Sequence, residues 1–130
     1  MDNYCGTIIE ESLVDKLILQ TLNITSTRVE QVTEKEHTPW LTQWTLHKVE
    51  IPDSEAAKVA ETLSKNLDYS HGGAWYADFR NETHHYIIYL NKIFFVDRRS
   101  REQYDKAKQY GLSLGIPEYQ VDFHRRLISM

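Results

Sequence analysis

The chain has 130 residues, of which 41% are hydrophobic and 26% charged, a composition that supports one hydrophobic core and disfavours disorder. Nineteen acidic against fifteen basic side chains give a formal net charge of −4. This balance disfavours nucleic acid as a partner, because a phosphate backbone would be repelled at long range.

The sequence predicts neither export nor membrane insertion. Residues 1–12 lack a basic region and an apolar stretch of signal-peptide length. The longest apolar runs are far shorter than the ~20 residues that cross a bilayer. Cys5 has no second cysteine for an internal disulfide, which fits a reducing compartment, and we expect it to be a buried, unreactive thiol. We expect a cytoplasmic protein with no membrane association.

Strand signals dominate the first part of the chain. Residues 6–11 and 24–33 have β-branched centres, and residues 43–51 alternate without a purely apolar face. Residues 12–22 fit both a helical and a strand period, so both alternatives stay open. The polar residues 34–39 end in a proline and predict a loop.

The clearest helix signal covers residues 53–67. Asp53 is a favourable N-cap, and Glu55 places an acid where the helix dipole favours negative charge. Apolar residues recur at the i, i+3, i+4, i+7 spacing of one stripe, namely Ala56, Val59, Ala60, Leu63 and Leu67. The stripe predicts a helix that packs on a sheet.

Residues 74–97 are rich in aromatic and β-branched side chains. Turn residues interrupt them at Asn81–Glu82 and at Asn91–Lys92. The simplest consequence is three consecutive antiparallel strands.

A second helix is predicted over residues 101–114. Ser100 and Gln103 match a capping box, and Gly115 followed by Pro117 is typical of a helix end. Gly111 lies inside this helix, which predicts close packing against a bulky neighbour. The alternation of Tyr119, Val121 and Phe123 favours a last strand over residues 117–123, and residues 124–130 are expected to be a flexible tail.

Together these elements predict a single α+β domain over residues 1–123. The expected architecture is a mainly antiparallel sheet of about five or six strands with two helices packed on one face. The opposite face would then be open to a ligand or to a second copy of the chain.

The histidines do not have metal-ligand spacing. His84 and His85 are neighbours in a strand, so their side chains point to opposite faces and cannot chelate one ion together. Across the turn at residues 81–82, His84 can approach Asp78 and form a tuned acid–base pair. His84, Asp78 and His47 are therefore the candidate catalytic residues, against the alternative that they are ordinary polar sheet residues.

Two further groups are candidate binding residues. Trp40, Trp44, Trp75 and Tyr76 can form an aromatic wall, which could equally fill the core, line a small-molecule pocket or form a partner interface. Arg98, Arg99 and Arg101 precede or begin the second helix, where an anion or nucleotide phosphate would be favoured. A solvated charged turn is the alternative for this second group.

Four segments carry a resemblance over nearly the whole chain: NYCGTIIEES, TPWLTQWTLHKVEIP, WYADFRN and YGLSLGIPEYQVDF. They resemble a family of small prokaryotic proteins of about this length. That family has no established activity, so the resemblance implies a self-contained intracellular domain and assigns no functional residue. Residues 124–130 fall outside it.

No phosphate-binding loop, dinucleotide fingerprint or nucleophile elbow occurs in the sequence, and we expect no cofactor or metal. The first hypothesis is a non-enzymatic binding or interaction domain with an aromatic-lined face or pocket. The alternatives are a small enzyme using a His/Asp pair and an anion or nucleotide binder at the arginines. A small molecule, a protein partner and a homodimer remain candidate partners.

Overall fold

A six-stranded sheet organises the computed structural model, which describes residues 3–33 and 38–124. The strands are β1 (Tyr4–Ile9), β2 (Asn23–Gln31), β3 (Gln43–Ile51), β4 (Ala77–Arg80), β5 (His84–Tyr89) and β6 (Lys92–Asp97). Their order across the sheet is β2-β3-β1-β4-β5-β6, and every neighbouring pair is antiparallel. The α+β class and the mainly antiparallel sheet are confirmed.

Three α-helices accompany the sheet in the described part of the chain. They are α1 (Asp53–Ser64), α2 (Arg101–Ser113) and the short α3 (Glu118–Val121). Two 3-10 helices, Glu10–Ser12 and Lys16–Thr21, follow β1. The ambiguous residues 12–22 thus form mainly 3-10 turns.

The first face of the sheet is covered by α1. Because β3 and β4 are both antiparallel to β1, they run parallel to each other, and α1 is the crossover that joins them. Ala56, Ala60 and Leu63 of α1 share a buried cluster with Phe79 and Ile88 of the sheet.

The second face is covered by α2 and α3, so the expectation that both long helices share one face is wrong. Ile87 and Tyr89 of β5 cluster with Tyr104 and Ala107 of α2, whereas Ile88 belongs to the α1 side. Adjacent strand residues point to opposite faces. β6 is an edge strand, and the α2 and α3 helices that follow it pack on the face that α1 leaves uncovered.

This second layer covers only part of its face. Thr7 of β1 lies opposite Asp78 on one side and Lys48 on the other, and Asp78 lies opposite Ile87. All four side chains therefore share the α2 face. Ile87 is buried under the helices, whereas Thr7 is partly exposed and Lys48 is exposed. The β1 and β3 portion of this face remains open.

Several predicted boundaries need correction. The first strand begins at Tyr4 and ends at Ile9, and Pro52 rather than Asp53 occupies the N-cap position of α1, which ends at Ser64. The last predicted strand, residues 117–123, contains α3 instead. Pro117 directly precedes α3, as suits a residue whose φ is fixed near helical values.

Other local predictions are confirmed. The two hairpins β4–β5 and β5–β6 form as expected, and Asn91 has φ 58° in the second turn. The Ser100 side chain accepts a hydrogen bond from the Gln103 amide, although the Gln103 side chain accepts from Asp97 N–H rather than returning to Ser100. A Cβ on Gly111 would lie 2.7 Å from the Tyr89 hydroxyl, so the close packing is also present.

None of the helices in the described ranges is long and apolar enough to cross a bilayer. The predicted tail lies outside the described residues except for His124. Cys5 differs from the expectation, because β1 leaves its side chain exposed rather than buried.

Candidate functional site

A groove of about 450 Å³ opens where the second face of the sheet meets α3. Its floor comes from β1, β3 and β4, and its wall comes from α3 and the residues before β4. The lining residues are Thr7, Ile9, Glu30, Trp44, Leu46, Ala74, Trp75, Tyr76, Asp78, Tyr119 and Gln120. The α3 part of the wall belongs to the segment GIPEYQVDF.

Packing and one hydrogen bond hold that wall in place. Val121 lies against Gly111, where a Cβ would be 2.7 Å from the valine Cγ1. The Tyr76 hydroxyl donates to the Gln120 carbonyl at 2.9 Å. The glycine thus admits α3 to the surface of α2, and the tyrosine ties it to the sheet. Tyr119 is left 48% exposed beside the groove.

Two tryptophan residues, Trp44 and Trp75, line the groove. Trp44 and Trp75 pack edge to face with their ring centroids 5.4 Å apart. The Trp44 indole donates to the Thr38 hydroxyl at 3.1 Å, which fixes the ring orientation. Trp40 contacts Trp75 but lines a neighbouring crevice and stacks on His71. Of the four predicted aromatic residues, the structure therefore places Trp44, Trp75 and Tyr76 in the groove.

A hydrogen-bond chain runs from Asp78 in the groove into the core, through His85 to Tyr104. His85 Nε2 lies 2.7 Å from Asp78 Oδ2, and His85 Nδ1 lies 3.1 Å from the Tyr104 hydroxyl oxygen. With Asp78 ionised and His85 neutral, Nε2–H donates to the carboxylate and the Tyr104 hydroxyl donates to Nδ1. The histidine is 1% exposed, so it orients the carboxylate and does not itself contact a ligand.

The far end of this chain stays protonated at neutral pH. Burial raises the pKa of Tyr104 to about 12, although Arg98 and Arg80 act in the opposite direction through their positive charge. A neutral phenol can donate its proton to His85 in the hydrogen-bonding scheme above.

The charge of the groove is negative. Among the described residues that line it, Asp78 and Glu30 are acidic and none is lysine or arginine. Glu30 also pairs with the exposed Arg28 at 2.9 Å. Asp78, whose side chain is 19% exposed, is thus the main source of negative charge beside the aromatic rings.

The expected Asp78–His84 pair does not form. The register places Arg80 opposite His85 and Asp78 opposite Ile87, which puts His84 on the other face of the sheet. There its ring stacks on Phe95 at 4.5 Å. His47 also lies away from the groove and bonds Glu10 and Thr27. The structure brings neither histidine near Asp78.

The three arginines predicted as an anion site at the start of α2 do not converge. Arg98 donates to the Asn81 carbonyl, whereas Arg99 pairs with Asp97 at 3.2 Å. Arg101 is exposed in the first turn of α2. No common anion site is formed by these three side chains.

The sequence reasoning missed His85, Tyr119 and Glu30. The strand alternation already places Asp78 and Arg80 on one face and Phe79 on the other. What selects His85 rather than His84 is the pairing register, which depends on where the Asn81 turn closes. That turn is fixed by the Asn81 side chain, which accepts from the amides of Thr83 and His84.

Within residues 3–33 and 38–124, no group of three or more histidine, cysteine or acidic side chains is arranged to hold a metal ion. Comparison of the chain with protein-family models, curated proteins and solved structures found no significant match.

Proposed function

We propose that the protein is a binding domain for a small organic cation, and that the groove over β1, β3 and β4 is its site. The observation that carries this proposal is the placement of the Asp78 carboxylate in a groove walled by Trp44, Tyr76 and Tyr119. A cation with an apolar portion matches both features.

The energetics of such a site favour a charged amine or guanidinium. A cation over an aromatic face gains about 0.5–2 kcal/mol, more as the site is desolvated. A carboxylate adds a charge-assisted hydrogen bond of about 1.5–3 kcal/mol. The buried His85 holds Asp78 in one orientation, which reduces the ordering cost of binding.

Calorimetric titration with pentylamine, and with 1-pentanol as the neutral match, tests the proposal. We expect saturable binding of the amine and at least tenfold weaker binding of the alcohol. Asp78→Asn and Trp44→Leu should each weaken amine binding at least tenfold, while Asp97→Asn on the opposite face should leave it unchanged. Equal affinity for amine and alcohol, or no binding of either, contradicts the proposal.

A second candidate is an enzyme that uses Asp78 as a general base. The observation that favours it is the 2.7 Å contact with His85, since a carboxylate oriented by an imidazole can accept a proton from a bound substrate. This version replaces His84 by His85 as the partner of Asp78. Proton exchange or new products seen by NMR on incubation with organic cations, lost in Asp78→Asn, would support it over simple binding.

The cellular location of the protein is also a proposal. A single cysteine, exposed on β1, suits a reducing compartment, and we infer a cytoplasmic binding domain. The resemblance to small prokaryotic proteins and a homodimeric assembly stay predictions.

A further inference from the structure

The open face of the sheet carries a basic surface next to the groove. On β4, Arg80 lies two residues beyond Asp78 on the same face, and its cross-strand partner on β1 is Cys5. Lys48 of β3 lies level with Asp78, on the other side of Thr7. A second, shallower depression is bordered by Cys5, Lys48, Arg80 and Arg98. The two depressions are therefore neighbouring parts of one surface. The groove at Asp78 is its upper part, and the depression at Arg80 is its lower part.

The two parts differ in charge. Lys48, Arg80 and Arg98 line the lower part, where Glu50 and Glu82 are the acidic residues. In the upper part the charged lining residues are Asp78 and Glu30. The lower part is thus net positive, and the neighbouring upper part is net negative.

Separate hydrogen bonds hold the charged groups of the two parts. Asp78 contacts His85, and His85 contacts Tyr104. Arg98 donates to the Asn81 carbonyl at the turn between β4 and β5. The carboxylate of the upper part and the Arg98 guanidinium of the lower part are therefore each held by a hydrogen bond.

We propose that the ligand is bipolar, with a cationic group at Asp78 and an anionic group, a carboxylate or a phosphate, at Lys48, Arg80 and Arg98. This inference rests on the proposed function and specifies its ligand class. Asp78 and Arg80 are two residues apart on β4, a span of roughly 7 Å, so a short chain of several bonds would separate the two charges of the ligand. A guanidinium fork binds a carboxylate or phosphate with two parallel hydrogen bonds.

Calorimetry with 5-aminopentanoate and pentylamine tests the second charge, since the two amines have chains of similar length. We expect 5-aminopentanoate to bind at least tenfold tighter than pentylamine. Lys48→Gln and Arg80→Gln should each remove most of that difference and leave pentylamine affinity within about twofold. Lys48 is exposed, so its variant tests the anion site even where Arg80→Gln proves unstable. Arg99→Gln is the matched control, because Arg99 lines neither depression.

The outcomes separate the two proposals. If pentylamine binds and the carboxylate gives no advantage, the bipolar ligand is wrong and the cation site stands. If neither compound binds, both proposals fail. Phosphate in the titration buffer should compete with 5-aminopentanoate and not with pentylamine. Competition with both would overturn the separate anion site.

Discussion

His85 Nε2 lies 2.7 Å from Asp78 Oδ2, with the imidazole 1% exposed and the carboxylate at the edge of the groove. The other nitrogen of the same ring, Nδ1, lies 3.1 Å from the Tyr104 hydroxyl oxygen. Both polar atoms of a fully buried side chain are thereby paired, which is the arrangement that keeps such a residue from destabilising the core.

His85→Leu should lower the free energy of unfolding by about 2–3 kcal/mol, because the Tyr104 hydroxyl loses its acceptor and Asp78 its donor. His84→Leu is the matched control, since His84 lies on the other face and stacks on Phe95. Its effect should stay below about 1 kcal/mol. Urea unfolding monitored by tryptophan fluorescence measures both.

A second substitution separates the unpaired hydroxyl from lost packing. His85→Leu combined with Tyr104→Phe removes both partners of one hydrogen bond, so it should be less destabilising than the sum of the single changes. Additive effects would show that the contact between His85 and Tyr104 contributes nothing to stability.

Gly111→Ala should destabilise the protein by about 1–3 kcal/mol, as overpacking of a tight contact does. Alanine is favoured over glycine in a helix by about 1 kcal/mol, so propensity alone predicts the opposite sign. The added Cβ would lie 2.7 Å from the Tyr89 hydroxyl and from Val121. Thermal and urea unfolding decide the sign. Gln109→Ala, at an exposed position of the same helix, should be neutral or stabilising. A stabilised Gly111→Ala would mean that α3 can move away from α2.

The features predictable from sequence were those set by local chemistry. Residues 43–51 form β3 with the predicted bounds, and Asn91 adopts the left-handed turn expected of asparagine between two β-rich runs. The close packing at Gly111 was also predictable, because glycine is unfavourable inside a helix unless a side chain would not fit. Its contact with Tyr89 is that constraint.

The features that failed depend on contacts distant in sequence. The spacing of Tyr119, Val121 and Phe123 fits a strand. In the structure, however, Val121 packs against Gly111 and Phe123 packs against Tyr76. These two contacts favour a helical turn. The choice between His84 and His85 depends on register, and the choice of face for α2 depends on which face α1 already covers. None of these is encoded in a short window of residues.

Raising the pH above 10 should destabilise the protein progressively. Burial raises the pKa of Tyr104 to about 12 and also raises the pKa of Tyr69, Tyr86 and Tyr89 above 10. The unfolded chain then loses protons that the folded chain keeps, so the free energy of unfolding falls as pH rises. The contribution of Tyr104 is fully present below pH 10 and is lost between pH 10 and about 12.

Urea unfolding at a series of pH values, with tyrosinate absorbance followed in parallel, measures this loss. Tyr104→Phe should show a shallower decline of stability above pH 10 than the parent chain. Identical slopes would mean that Tyr104 ionises in the folded protein as easily as in the unfolded one.

Tyr76→Phe should weaken pentylamine binding several-fold with a stability cost of about 1 kcal/mol, the usual net contribution of one hydrogen bond. The phenylalanine keeps the ring contact with Phe123 but loses the 2.9 Å bond to the Gln120 carbonyl that ties α3 to the sheet. A loosened wall should lower affinity mainly through faster dissociation. Tyr110→Phe is the matched control, because Tyr110 packs on Tyr89 and Phe94 outside the groove lining. If both variants bind pentylamine as the parent does, α3 contributes no positioning to the site, and the cation is held by the sheet residues and Trp44 alone.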